Sequence, residues 1–146
     1  MRLRAVTQTD RDLIAMHRYP DEADQAERPV YAAWVAGALA RDRYLGFVAV
    51  NDGGGGEEVV AGAGLTLLDW GPSRGDPQPD RGRLVNVWTH PAVRRQGLAR
   101  TLVTLCLDAA RNRGITHLSL GTSPAARGLY TALGFEPSGT EMTLRR

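Results

Sequence analysis

Hydrophobic and polar positions along this chain fall into two rhythms, the two-residue period of a strand and the longer period of a helix. Residues 2–6 read as a short strand. Thr9-Asp10-Arg11-Asp12 then resembles a capping box, with the acid at its fourth position, and Leu13, Ile14, Met16 and His17 follow at helical spacing. The polar segment 20–28, with Asp21, Glu22, Asp24 and Glu27, reads as a loop or a ragged helix. Pro29 sits where a first helical turn tolerates it, and Tyr31 through Ala40 make an apolar helix.

Tyr44–Val50 and Glu57–Leu68 are strands by composition, joined into a hairpin through Asn51-Asp52 and a glycine run. That run, Gly53–Gly56, opens no helix and reads as a flexible tip, not a phosphate cradle. Residues 70–82 hold repeated Gly and Pro and form a surface loop. Leu84–Thr89 is the next strand and Gly97–Arg113 a helix, with Leu98, Leu102, Leu105, Cys106 and Ala109 on its buried face and Gly114 stopping it. Ile115–Leu120 follows directly as a strand. Strand, helix and strand thus form a βαβ-like unit with two parallel strands. Ser123-Pro124 caps a short helix that ends near Leu133, and Thr140–Leu144 alternates as an edge strand would. With 146 residues and no internal repeat, the expectation is one domain over 1–146.

Composition narrows the functional classes. At 42% hydrophobic and 23% charged the chain is ordinary for a globular protein, and its net charge of +2 is too small to argue for a nucleic-acid partner. No apolar run approaches the ~20 residues of a membrane span, so no membrane partner is expected. The N-terminus lacks the apolar centre of a signal peptide, and the cytoplasm is the simplest address. The single Cys106 excludes an internal disulfide and reads as core; His17 and His117 have no partners at metal-ligand spacing, so no metal is expected. Lysine is absent, and every basic residue apart from histidine is arginine.

The richest chemistry lies at His90-Pro91-Ala92-Val93-Arg94-Arg95-Gln96-Gly97-Leu98-Ala99, where a strand ends, turns through arginines and opens into a helix. Free backbone N–H groups, the positive end of the helix dipole and guanidinium groups meet there, as a phosphate or pyrophosphate requires. Gly97 admits an anion close to the backbone, and Ala99 is small for the same reason. A solvated arginine loop ahead of an ordinary helix fits the local spacing equally well. Neither a P-loop nor a dinucleotide fingerprint is present.

Arg94-Arg95-Gln96-Gly97-Leu98-Ala99 resembles the Arg/Gln-x-x-Gly-x-Gly/Ala motif of the GNAT superfamily of N-acetyltransferases. Leu129-Tyr130-Thr131-Ala132-Leu133-Gly134-Phe135 is similar to that family's second signature, a tyrosine followed by a Leu-Gly-Phe turn. The resemblance covers nearly the whole chain. It implies an α/β fold with a central, mostly antiparallel sheet, a splayed parallel strand pair and about four flanking helices. It also implies acetyl-CoA as donor. Backbone amides around Val87, Trp88 and Thr89 would bind pantetheine and polarise the acetyl carbonyl, and the pyrophosphate would rest on Arg94, Arg95, Gln96, Gly97, Leu98 and Ala99. Thr101 is a possible extra hydroxyl donor.

The same resemblance makes Tyr130 the catalytic residue, a phenol that gives a hydrogen bond or proton to the departing thiolate. Packing of its helix on the sheet is the plainer role for that ring. Many relatives have asparagine seven residues before the tyrosine; here Ser123 stands there, able to cap a helix and to touch pantetheine. Arg127 either reaches the cofactor or is a surface charge. An amine acceptor with pKa near ~10 must shed a proton before it attacks, and Glu27, Asp24, Asp69 or ordered water are the candidates for removing it. The resemblance also implies that the acidic 21–27 segment lies where the family's acceptor site is usually lined, which favours a cationic amine, on a small molecule or a peptide. Function then reads as acetyl transfer to a primary amine in a ternary complex, by a monomer or homodimer. The alternative is a non-catalytic acyl-CoA sensor or interaction module of the same fold.

Overall fold

Five strands hydrogen-bond in sequence order into one sheet, and the computed structural model describes residues 1–146 of the chain. They are β1 (Arg2–Ala5), β2 (Tyr44–Asn51), β3 (Glu58–Asp69), β4 (Asp80–Thr89) and β5 (Leu118–Leu120). The first three junctions are antiparallel and the last, β4 with β5, is parallel. Four helices flank the sheet: α1 (Arg11–Arg18), α2 (Glu27–Ala40), α3 (Leu98–Asn112) and α4 (Arg127–Ala132).

Side chains alternate across the sheet, so neighbouring residues join different cores. Leu65, Leu67 and Leu84 face α3, where Leu102, Val103, Cys106 and Ala110 meet them together with Tyr130 of α4. Tyr44 and Val85 face the other way, onto Ile14 of α1 and Val35 and Ala38 of α2. Leu65 and Leu102 are fully enclosed; each such side chain contributes about 1.5–3 kcal/mol by leaving water.

Glycine ends two helices by one device. Gly114 (φ +76°) follows α3; its N–H bonds to the Arg111 carbonyl, and the Ile115 N–H to that of Ala110. Gly134 (φ +98°) repeats the pattern after α4, with the Phe135 N–H on the Tyr130 carbonyl at 3.0 Å. This closure brings the residue after the glycine onto the last turn of the helix. Ile115 accordingly enters the core, and Phe135 packs edge-on against Tyr130 at 6.0 Å.

Several expectations are corrected. The helix start lies two residues earlier, because Thr7 donates its N–H to Asp10 at 2.8 Å and a short 3-10 turn precedes α1. The Asp10 carboxylate is engaged by Arg4 through two bonds of 2.8 Å and is therefore not a free helix residue. Strand β4 begins at Asp80, which pairs with Asp69 in the ladder and takes a two-pronged bond from Arg43, so the loop closes sooner than its prolines suggest. β5 is confined to Leu118–Leu120 because Ile115 is consumed by the closure of α3. Leu98, Leu105 and Ala109 are only half-buried, and Val103 and Ala110 occupy the centre of the α3 face instead. Residues 140–144 form no strand. Met142 and Leu144 stand 99% and 77% exposed, and two apolar side chains beside so short a β5 bury too little to offset the ordering of the tail.

Candidate active site

A break in the β3–β4 ladder creates the site. Gly62 pairs with Trp88 and Gly64 with Val85, so Asn86 and Val87 together span what Ala63 spans alone. This is a β-bulge, with Asn86 at φ +55°. Three partners hold it: the Asn86 amide donates to the hydroxyls of Tyr31 (2.9 Å) and Tyr44 (3.0 Å), and its carbonyl accepts from Arg18 (3.1 Å). Tyr44 reaches Asn86 by lying across Gly64, where a Cβ would run into its hydroxyl.

Beyond the bulge β4 loses its second neighbour, because the ladder with β5 stops at Leu84 and Leu120. The His90 N–H turns to β3 and bonds to the Val60 carbonyl at 2.8 Å. Strand alternation then aims the Thr89 and Val87 amides into the gap on the other side. Pro91–Val93 make one 3-10 turn, tied by Ala92 N–H to His90 Nδ1 at 3.1 Å. Arg95 (φ +66°) and Gly97 (φ +73°) both adopt left-handed backbone, and Gly97 caps α3.

The first backbone bond of α3 belongs to Thr101, whose N–H reaches the Gly97 carbonyl at 3.1 Å. Consequently the amides of Gln96, Gly97, Leu98, Ala99 and Arg100 have no acceptor in the protein. Unpartnered amides at the positive end of a fifteen-residue helix, beside Arg94, Arg95 and Arg100, suit an anion with several oxygens. Nothing lies within 4 Å of the point where a Gly97 Cβ would be, so the approach is open.

A cleft of about 890 Å3 joins these parts. Of the residues singled out from sequence, Val87, Trp88, Thr89, Arg94, Arg95, Gly97, Leu98, Ala99, Ser123 and Tyr130 all line it. Three do not. Gln96 is exposed and outside its lining, Thr101 turns its hydroxyl back onto the Gly97 carbonyl (3.0 Å), and Arg127 lines a neighbouring cleft of about 410 Å3. Ser123 does not begin α4 directly; a turn over 124–126 intervenes, and its hydroxyl accepts a long bond from Ala126 N–H at 3.4 Å.

Tyr130 stands at the wall between the two clefts, lining both, with 8% of its surface exposed. Its hydroxyl has no protein partner, and burial pushes its pKa above the ordinary phenol value. The phenol therefore keeps its proton at neutral pH and can give it away. Sequence reasoning missed His17, which lies flat on Trp88 (ring centres 3.5 Å apart, 9° between planes) and faces the cleft. Burial, and then the charge of His90, lower its pKa. No carboxylate lines this cleft: Asp69 ends β3 at the far end of the sheet, opposite Asp80, and Asp24 and Glu27 sit away from it. Asn86 was also missed, although an asparagine between Val85 and Val87 in an apolar strand is a recognisable bulge signal.

Comparison with known proteins fits this geometry. The family model for the acetyltransferase (GNAT) family matches residues 8–135. The chain belongs to that family. It is an acyltransferase of the N-acetyltransferase kind, and its sheet with one parallel pair and four helices is the family's fold. A GCN5-related N-acetyltransferase from Ralstonia eutropha superposes with a TM-score of 0.86 at 26% identity, over 99% of this chain and 97% of that one. A predicted acetyltransferase with acetyl-CoA from Clostridium acetobutylicum gives the same TM-score at 19% identity, over 99% and 95%, which shows the shared fold. Among curated proteins, the ribosomal protein bS18-alanine N-acetyltransferase of Escherichia coli is 37% identical over 70 residues. That match spans 46% of this chain and 45% of the relative, under half of each.

Proposed function

We propose that this acetyltransferase moves the acetyl group of acetyl-CoA directly to a primary amine held in the same complex. The observation that carries the reading is the row of unpartnered amides from Gln96 to Arg100 at the mouth of the gap between β4 and β5. A diphosphate fits that row and the surrounding guanidinium groups. The pantetheine arm of the donor then runs along the free edge of β4, where the amides of Val87 and Thr89 supply donors and Ser123 a hydroxyl. The Clostridium acetobutylicum structure with acetyl-CoA supports the same donor.

The amine nitrogen attacks the thioester carbonyl, and the C–S bond breaks as the C–N bond forms. An amide N–H of the bulged strand steadies the negative charge on oxygen. Tyr130 gives its proton to the leaving thiolate and recovers one from solvent. The amine loses its own proton to ordered water or to His17, the neutral base facing the cleft. In this reading residues 1–146 act as one catalytic domain in the cytoplasm, as a monomer or homodimer, without nucleic acid or membrane. Two features support it: the net charge is only +2, and no helix is long and apolar enough to cross a membrane.

A thiol-release assay with acetyl-CoA and a panel of amines tests the proposal. Release that depends on the amine, with stoichiometric acetylated product, is expected. Tight coenzyme A binding with no release on any amine would instead favour a non-catalytic acyl-CoA module.

A further inference from the structure

A third cleft, of about 260 Å3, opens on the α1/α2 face of the sheet, lined in part by Arg18, Tyr31, Trp34, Arg83 and Val85. It adjoins the bulge, because Arg18 bonds to Asn86 and Val85 is the residue before it. Arg83 lines both this cleft and the one beside Tyr130.

Both guanidinium groups are held, and neither is neutralised. Arg18 lies over the Tyr31 ring at 4.5 Å while one of its nitrogens donates to Asn86, and Arg83 donates to the Ser119 hydroxyl at 3.2 Å. Neither forms an ion pair, although Arg2, Arg4, Arg43 and Arg113 all do. Glu136 and Glu141 line the adjoining cleft without pairing to either arginine. The acids of the 21–27 segment, which favoured a cationic acceptor from sequence, line none of the three clefts. Two oriented arginines with spare donors, in a cleft whose own lining holds no acid, are built to receive a carboxylate, and the Tyr31 and Trp34 rings offer an apolar wall for the carbons leading to it.

We propose that the acceptor amine carries a carboxylate, clasped by Arg18 and Arg83 on the α1/α2 face of β4. This rests on the acetyl-transfer reading and names its substrate class. The carboxylate comes from a free amino acid or from an acidic side chain near a peptide N-terminus, and two arms of one experiment separate these sources.

Thiol release is measured with ω-amino acids of increasing length against their carboxamides, and with the peptide Ala-Asp-Ala-Ala-amide against Ala-Asn-Ala-Ala-amide. In one arm the acid should exceed its amide twin by about tenfold in kcat/KM, mainly through KM. Arg83→Gln, at an exposed strand position, and Arg18→Gln should each bring that ratio towards one, and Arg83→Lys should retain part of it. Equal or reversed ratios in both arms would overturn the proposal, as would a ratio untouched by Arg83→Gln. Turnover of acids and amides alike would still leave acetyl transfer standing. No release from any amine would remove that reading and this one together.

Discussion

Asn86 carries two loads, a left-handed backbone and a hub of hydrogen bonds, and substitution separates them. Asn86→Ala deletes both donor bonds and strips the partner from the Tyr44 hydroxyl, on a residue only 3% exposed. An unsatisfied buried hydroxyl costs about 1–3 kcal/mol, and an alanine at positive φ about 1–2 kcal/mol more than glycine. Asn86→Gly loses the same bonds but adopts φ +55° freely. Alanine should therefore be worse than glycine by about 1 kcal/mol, the reverse of their usual order within a strand. Equilibrium urea unfolding followed by tryptophan fluorescence reads the difference, which corresponds to a melting shift of about 2–4 °C. Acetyl-CoA KM should rise more for alanine than for glycine, because a collapsed bulge turns the Val87 and Thr89 amides out of the gap. A glycine variant as unstable as the alanine variant, or less stable, would refute the assignment of strain and bulge to this residue.

Tyr130→Phe preserves the Phe135 contact and should lower kcat about 100-fold while leaving cofactor affinity nearly intact; steady-state kinetics with unchanged kcat would reduce the tyrosine to packing. Gly97→Leu forces a branched side chain into left-handed backbone and fills the anion approach, so the acetyl-CoA KM should rise sharply, and an unaltered KM would remove that glycine's role. Asp10→Ala removes the two-pronged partner of Arg4, which keeps Glu57, and the acceptor of the Thr7 N–H, and should cost about 1–3 kcal/mol. Burial raises the Asp10 pKa, but the Arg4 and Thr7 bonds outweigh it and the net shift is downward. The unfolded chain thus binds more protons in acid: the contribution is complete above about pH 4 and fades as pH falls below it. Stability measured from pH 6 to pH 2 should drop less steeply in the variant than in the parent.

Elements specified by their own residues were legible in the sequence. Gly114 and Gly134 announce helix ends because only left-handed backbone closes those turns cheaply, and the hairpin and the arginine-flanked turn likewise carry their chemistry locally. The βαβ unit followed from them, and the cluster of turn, strand end and tyrosine from the resemblance to the GNAT superfamily. Features set by pairing between distant segments were not legible. The bulge depends on register against Ala63, the His17–Trp88 stack on how α1 lies over β4, and the truncated β5 on Ile115 being drawn into the core. The carboxylates considered as bases illustrate the same limit. Asp69 looked close to the chemistry along the chain, yet β4 carries the reacting end a full strand length away.

The diphosphate of coenzyme A should sit on the free amides opening α3, and proton–nitrogen NMR of the 15.8 kDa protein reads those amides one by one. Titration with coenzyme A should shift the signals of Gln96 through Arg100 strongly downfield, whereas pantetheine without phosphate should leave them in place. Saturable binding that moves other amides and leaves these five unchanged would contradict the account.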